Sequence, residues 1–273
     1  MRRSLVAVVL VASIVFVRGA SADSSSLPSA PPPEALQGGR TTDRALSRGA
    51  SAAAPTQGEQ DPLEGFNRKM FWFNDQVDNY VLEPAAKGWN FVFPGKVQTA
   101  FSHFFDNLRF PIYTVNDLLQ TKWEYAGKQV GRFVVNTTIG IAGFMDPATG
   151  FGLEAHPEDF GQTLGYWGAG QGPYLVLPLL GPATIRDGAG MLVDYPLSIT
   201  PFFVDWYYLM AARVVDVVNT RAIYLDPIRQ AKESSFDYYT FVRNAYLQRR
   251  EALVQDMAAP SAESTEDLYH PAD

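Results

Sequence analysis

None of the 273 residues is a cysteine. That excludes a disulfide scaffold, a Cys-ligated zinc or iron–sulfur site, a thiol nucleophile and a lipid attached through a cysteine. Basic charge is also scarce, with 22 Lys+Arg against 29 Asp+Glu and a formal charge of -7. Phosphate-backbone binding needs a surplus of Lys and Arg on one face, so a general nucleic-acid partner is not expected. The three histidines, His103, His156 and His270, are far apart in the sequence. No HExxH, GxSxG or glycine-rich phosphate loop accompanies them, so neither an enzyme nor a bound cofactor is expected.

Arg2 and Arg3 precede an apolar run from Leu5 to Val17 and then Ala20-Ser21-Ala22. Thirteen apolar residues fall short of the roughly 20 that span a bilayer, and the small residues suit a signal peptidase. Residues 1–22 are therefore read as a signal peptide of an exported protein. Residues 23–60 have no aromatic side chain, little leucine and much Pro, Ser, Ala and Gly. Such a segment cannot bury enough apolar surface to offset its ordering entropy and is read as a disordered linker. Residues 258–273 read as a disordered acidic tail.

Residues 61–257 are enough for one domain with a sizeable core. Asp61, Pro62 and Glu64 form a helix-start signal with a capping box, and Phe66, Met70, Phe73 and Val77 follow on one face. Pro84 and Pro94 are expected to begin two further helices. Phe101, Phe104, Phe105 and Leu108 form one stripe, and Trp123, Ala126, Val130, Phe133 and Val134 another. Trp206 to Leu225 is apolar around most of its circumference, as in a helix that is buried or touches lipid. A last long helix is expected over 226–255. No alternating strand pattern is visible, so the fold class is all-α.

The middle of the chain breaks the rhythm, since 14 of 22 glycines lie between Gly127 and Gly190. Residues 133–145 and 160–185 carry no charge, and the polar stretch between them describes a hairpin with two apolar limbs. Six glycines and Pro173, Pro178 and Pro182 in the second limb make a membrane-spanning helix implausible there, because broken backbone in hydrocarbon leaves amides unpaired. A plain buried loop is the ordinary alternative. Asp146, Glu154, His156, Glu158 and Asp159 gather metal-ligand types at the tip, but their spacing matches no calcium loop, and a solvated acidic turn is the ordinary meaning. For Arg186 and Asp187 the ordinary reading is a local ion pair or helix cap, and the sharper one is a phosphate contact through Arg186.

Several of these stretches carry a resemblance. Asp61-Pro62-Leu63-Glu64-Gly65-Phe66-Asn67-Arg68, Asn136-Thr137-Thr138-Ile139-Gly140, Gly143-Phe144-Met145-Asp146 and Asp159-Phe160-Gly161-Gln162-Thr163-Leu164-Gly165 resemble the VacJ/MlaA family of outer-membrane lipoproteins. Gly168-Ala169-Gly170-Gln171-Gly172-Pro173-Tyr174, Ile185-Arg186-Asp187 and Arg243 to Arg250 extend it over the whole of 61–250. The resemblance implies a ring-like helical domain at the periplasmic face of the outer membrane, with a central amphipathic channel. It implies removal of misplaced outer-leaflet phospholipid, delivery to a periplasmic lipid-carrier protein, and association with a trimeric porin. It places a gating hairpin at about 137–180, with Gly168 and Gly170 at its flexible part. Family members are anchored through an acylated cysteine, which this sequence lacks, so an apolar belt and a porin are expected to hold it. A porin-bound structural scaffold and a periplasmic lipid hydrolase are the alternative functions.

Overall fold

The computed structural model describes residues 61–198 and 200–256. The signal peptide, the linker and the acidic tail lie outside them. The described residues are predominantly helical.

Helix α1 (Glu64–Val77) passes through a π-helical turn, Asp78–Leu82, directly into α2 (Glu83–Val92). Pro84 stands at the second residue of α2, as expected, but a break from α1 is absent. In the wider π turn the amide of Glu83 bonds to the carbonyl of Asp78, and this widening accommodates a ring that would clash with an α-helical carbonyl. The expected capping box is also absent. Asp61 accepts instead from the Leu63 amide at 2.9 Å and from the Asn67 side chain.

Pro94 does introduce α3 (Gly95–Leu108), followed by α4 (Phe110–Leu119) and α5 (Trp123–Thr138). The short α6 (Pro147–Gly150) and α7 (Phe160–Tyr166) are capped by Asp146 and Asp159, which accept from the amides of Thr149 and Gln162. Two strands follow, β1 (Tyr174–Leu177) and β2 (Gly181–Thr184), antiparallel with Tyr174 opposite Thr184. The sequence reading found no strand here. Four consecutive apolar residues are too few to display alternation, and only the packing turns Tyr174 and Val176 inward.

Helices α8 (Ile185–Leu197), α9 (Thr200–Phe203) and α10 (Trp206–Ile223) complete the middle of the chain. The expected last helix is two, α11 (Leu225–Ser234) and α12 (Tyr238–Val254). Ser235 is extended and Asp237 holds Thr240 and Arg68, which breaks the rod. Helix α10 packs on α2 and α3, α5 on α4, and α7 on α8, while α12 closes over α7 and β2.

The interior is polar and much of the exterior is apolar. Among the described residues nine hydrophobic side chains are buried against nineteen polar or charged ones. On α5 the expected apolar stripe faces outward at Trp123, Val130 and Val134, whereas Gln129 and Asn136 are buried beside Ala126. On α10 Trp206, Tyr207, Tyr208 and Val214 are exposed, while Asp216, Asn219, Thr220 and Arg221 face in. Most buried polar groups in proteins are hydrogen-bonded, and here many bond to one another. Asn219, for instance, accepts from the Trp89 indole and donates to the Gln98 carbonyl and the Ser102 hydroxyl.

Candidate functional site

The residues singled out in the sequence fall into three groups. The first surrounds the turn after α5. Asp146 caps α6 and accepts from Asn136 at 2.9 Å and Arg132 at 2.7 Å, while the Asn136 side-chain Oδ1 takes the Ala148 amide. Burial opposes the charge on Asp146, but its bonds from Thr149, Arg132 and Asn136 outweigh that and hold the carboxyl below its ordinary range. Gly140 leaves no room for a side chain, since a Cβ would lie 2.5 Å from the Asn136 oxygen and 2.6 Å from that of Met145. Gly143 is left-handed, with φ 92°, and presses on Asn107. The turn is therefore rigid, not slack.

Beside it opens a pocket of about 230 Å³ between α3, α4, α5 and the segment before α7. His103, Asp106, Gln129 and Arg132 reach it, and sequence reasoning missed all four as members of a site. The available signal was polar side chains interrupting apolar helical stripes.

The second group is a buried ionic knot. Arg250 on α12 forks onto Asp159 at 2.6 Å and 2.9 Å and also reaches Asp187 at 2.8 Å and 3.1 Å. Tyr246 donates to Asp187. Arg186 lies against Asp187 at 3.2 Å and is itself buried, so the ion-pair reading of Arg186-Asp187 is the one the geometry displays. The cap of α8 is Thr184, whose hydroxyl accepts from the Asp187 amide. Gly161 and Gly165 let these groups approach: a Cβ at Gly161 would sit 2.7 Å from Asp187, and one at Gly165 would sit 2.9 Å from Arg186. Phe160 donates its amide to Asp194. Burial, then the nearby Asp159 charge, pushes the Asp194 carboxyl up to about 7.

The third group joins the domain start to its end. Asn67 is fully buried, donating to Asp61 and the Tyr174 carbonyl and accepting from the Val176 amide. Arg68 bridges Glu64 and Asp237 and lies 4.4 Å over the Tyr239 ring. Phe66 is exposed. Between the second and third groups runs the Gly168–Pro173 link, where Gly168 has φ 91° and no atom would meet a Cβ at Gly168 or Gly170. The Pro173 carbonyl accepts from Ile185.

The presumed acidic tip is not one cluster, because Asp146 and Asp159 belong to the first and second groups and Glu154 is exposed. His156 and Glu158 instead meet Asp117 on α4. His156 Nδ1 lies 2.8 Å from Asp117, its Nε2 lies 3.6 Å from Glu158, and its ring stacks on Tyr125. Asp117, His156 and Glu158 offer metal-ligand atoms within 4.8 Å of one another. However, Lys122 Nζ sits 2.9 Å from Glu158 and 2.5 Å from Asp256, so the acids already have a cation among them.

Burial lowers the His156 basicity, but the Asp117 bond and the Glu158 charge overcome it and raise its pKa above 6.5. A raised histidine contributes stability that is complete below pH 6.5 and disappears as pH rises through the folded value. His156→Ala is therefore expected to cost roughly 1.5 kcal/mol more at pH 6 than at pH 9, or about 4 °C in melting temperature. Melting curves at both pH values check this, and the ring-stacking loss cancels between them.

The MlaA lipoprotein family matches residues 59–253. The intermembrane phospholipid transport system lipoprotein MlaA of Escherichia coli (strain K12) is 35% identical over 232 residues, covering 80% of this chain and 90% of that protein. The protein of the same name from Haemophilus influenzae is 35% identical over 202 residues, covering 72% and 80%. A solved chain from work on the structural basis for maintenance of bacterial outer membrane lipid asymmetry has a TM-score of 0.64 and 36% identity, covering 71% of this chain and 99% of that one. With its polar interior, its capped turns and these matches along the whole described domain, the chain belongs to the MlaA lipoprotein family.

Proposed function

We propose that this protein carries phospholipid between the two membranes of the cell envelope, taking misplaced lipid from the outer leaflet of the outer membrane to a periplasmic carrier. One observation carries the reading: the domain is built with polar groups inside and large apolar side chains outside. Exposed apolar patches of this extent mark contact with lipid or protein. Among the described residues no helix is long and apolar enough to cross a membrane, so the apolar exterior lies within a leaflet as a collar. A headgroup then passes through the polar interior while its tails stay apolar, and no bond is made or broken. The names of the relatives support transport between membranes. The porin is the partner against which part of the collar rests.

The experiment is extraction in mild detergent followed by mass spectrometry of bound lipid. Co-purified phospholipid supports transport, whereas its absence from a membrane-bound protein favours the porin scaffold. Turnover of lipid by the purified protein would favour the hydrolase.

The Gly168–Pro173 link is proposed as the gate hinge. Gly168 has open space around it but a left-handed backbone, so Gly168→Val is strained by conformation alone. That variant is expected to change outer-leaflet phospholipid content severalfold while the protein accumulates normally. Unchanged leaflet composition would remove the gating role.

A further inference from the structure

Three acids and one histidine meet where the end of α12 reaches the start of α5. Asp117 lies on α4, His156 and Glu158 precede α7, and Asp256 follows α12. The imidazole is fixed, with Nδ1 2.8 Å from Asp117 and Tyr125 stacked on its face. With the Nδ1 proton given to Asp117, the lone pair is on Nε2, which lies 3.6 Å from Glu158 Oε1 and 3.5 Å from Asp256 Oδ1. A lone pair facing two carboxylate oxygens is repelled unless a positive charge stands between them. Four-coordinate zinc, with bonds of about 2.0–2.1 Å, holds its ligand atoms about 3.3 Å apart, close to the spacing of these three atoms.

A carboxylate behind the imidazole is how proteins orient a metal-binding histidine. Asp117 is fully buried, yet its Oδ2 has no hydrogen-bond partner among the described residues, so its charge is answered chiefly through the ring. Gln120 steadies Glu158 by donating to Oε2, which turns Oε1 to the site. Lys122 Nζ touches the same Glu158 and Asp256 oxygens as Nε2 does, so its ammonium competes with a metal, but it brings one positive charge to three carboxylates. We propose that His156 Nε2, Glu158 and Asp256 bind one zinc-like divalent ion, with Asp117 as the positioning residue behind the imidazole and Lys122 as the group the ion displaces. Imidazole with carboxylates suits zinc, whereas magnesium keeps its waters and prefers six oxygens. Asp256 is 43% exposed and opens the site to solvent. The bound ion ties the end of α12 to α4 and to the segment before α7, whether or not lipid is carried.

The test uses the purified full chain without a histidine tag at about pH 8, where few protons compete with a metal. Zinc is expected to bind as one equivalent in a calorimetric titration. At about 100 times its Kd it is expected to raise the melting temperature by roughly 5–10 °C, and magnesium at the same concentration is not. Cobalt in place of zinc is expected to give a visible absorption that saturates at the same single equivalent, a readout that needs no variant. His156→Gln is expected to weaken zinc binding at least about 100-fold, and Asp117→Asn about 10–100-fold with the stoichiometry kept. Lys122→Met is expected to tighten zinc about tenfold while lowering the melting temperature of the protein without zinc; an ion pair with a structural role alone gives the loss without the gain. Equal protection by magnesium, or no saturable zinc binding, overturns the proposal. So does zinc binding that His156→Gln leaves intact, which puts the ion on His103 or His270, and so does an affinity that Lys122→Met weakens or leaves unchanged.

Discussion

Replacing Arg250 with methionine is expected to lower the stability of the domain by about 3–5 kcal/mol, the largest loss expected from any single substitution considered. Methionine keeps most of the side-chain bulk, so the effect is electrostatic. Arg250 is 3% exposed and is the fork between Asp159 and Asp187. Without it the buried Asp187 keeps only Arg186 as a counter-charge, and the part-buried Asp159 loses its guanidinium beside Asp194. Burial opposes ionisation of Asp159, yet the Arg250 charge and hydrogen bonds keep its carboxyl below 3.8. A depressed acid contributes stability that is complete above pH 3.8 and is lost as pH falls through the folded value. The variant is therefore expected to lose this part of the acid limb together with the overall stability. Urea unfolding at pH 7 and at about pH 3, below the unfolded carboxyl value, measures both. Arg229→Met is the comparison: its ion pair with Asp226 is on the surface, and it should change stability by less than about 0.5 kcal/mol. Similar midpoints for the two variants would show that the knot contributes no more than a surface pair.

The second large effect belongs to a glycine. Gly190 on α8 lies against Gly161 on α7, and a Cβ there would meet the Gly161 amide nitrogen, with its Cα at 2.8 Å and the Phe160 carbonyl carbon at 3.1 Å. These are backbone atoms with no rotamer to change, so the two helices must separate. Overpacking costs about 1–3 kcal/mol, and more where nothing yields. Separation also pulls Asp187 from Arg250. Gly188, one half-turn away on the same helix, has open space around it, so alanine there gains about 0.5–1 kcal/mol from helix propensity. Gly188→Ala and Gly190→Ala are expected to differ by about 3 kcal/mol, or roughly 9 °C in melting temperature. Equal melting temperatures would mean that the α7–α8 crossing is looser than this geometry.

Helix positions were readable wherever proline or a periodic stripe marked them, as at Pro94 and Trp123. What periodicity could not supply was the side that faces inward. On α5 it selected Trp123, Val130 and Val134, because aqueous proteins bury such stripes, and in this fold those residues face out. The buried Gln129 and Asn136 are legible only to a reader who already expects lipid outside. Glycine concentration located the limb proposed as a gate, but Gly140, Gly161 and Gly190 turned out to serve close packing, whereas Gly168 combines a left-handed turn with open space. The β1–β2 hairpin was hidden by its shortness. The break at Ser235–Asp237 was hidden for another reason: it arises from the distant pairing of Asp237 with Arg68, which no local pattern records. The same holds for Asp117 and His156, 39 positions apart.

The seam formed by Asp61, Asn67, Arg68 and Tyr239 sets an order of events in the life of the chain. Helix α1 is among the first parts of the domain to leave the ribosome. Its buried Asn67 has Asp61 nearby but completes its bonding only on strand β1, 107 residues later, and Asp61 and Arg68 wait for Tyr239 and Asp237, 178 and 169 residues later. Contacts this distant are slow to form, because the loop between them must close first. The nascent amino-terminal half therefore has no finished place to settle until synthesis is nearly over. A chain truncated before residue 237 should remain protease-sensitive throughout, including the part that already contains eleven of the twelve helices of the described domain.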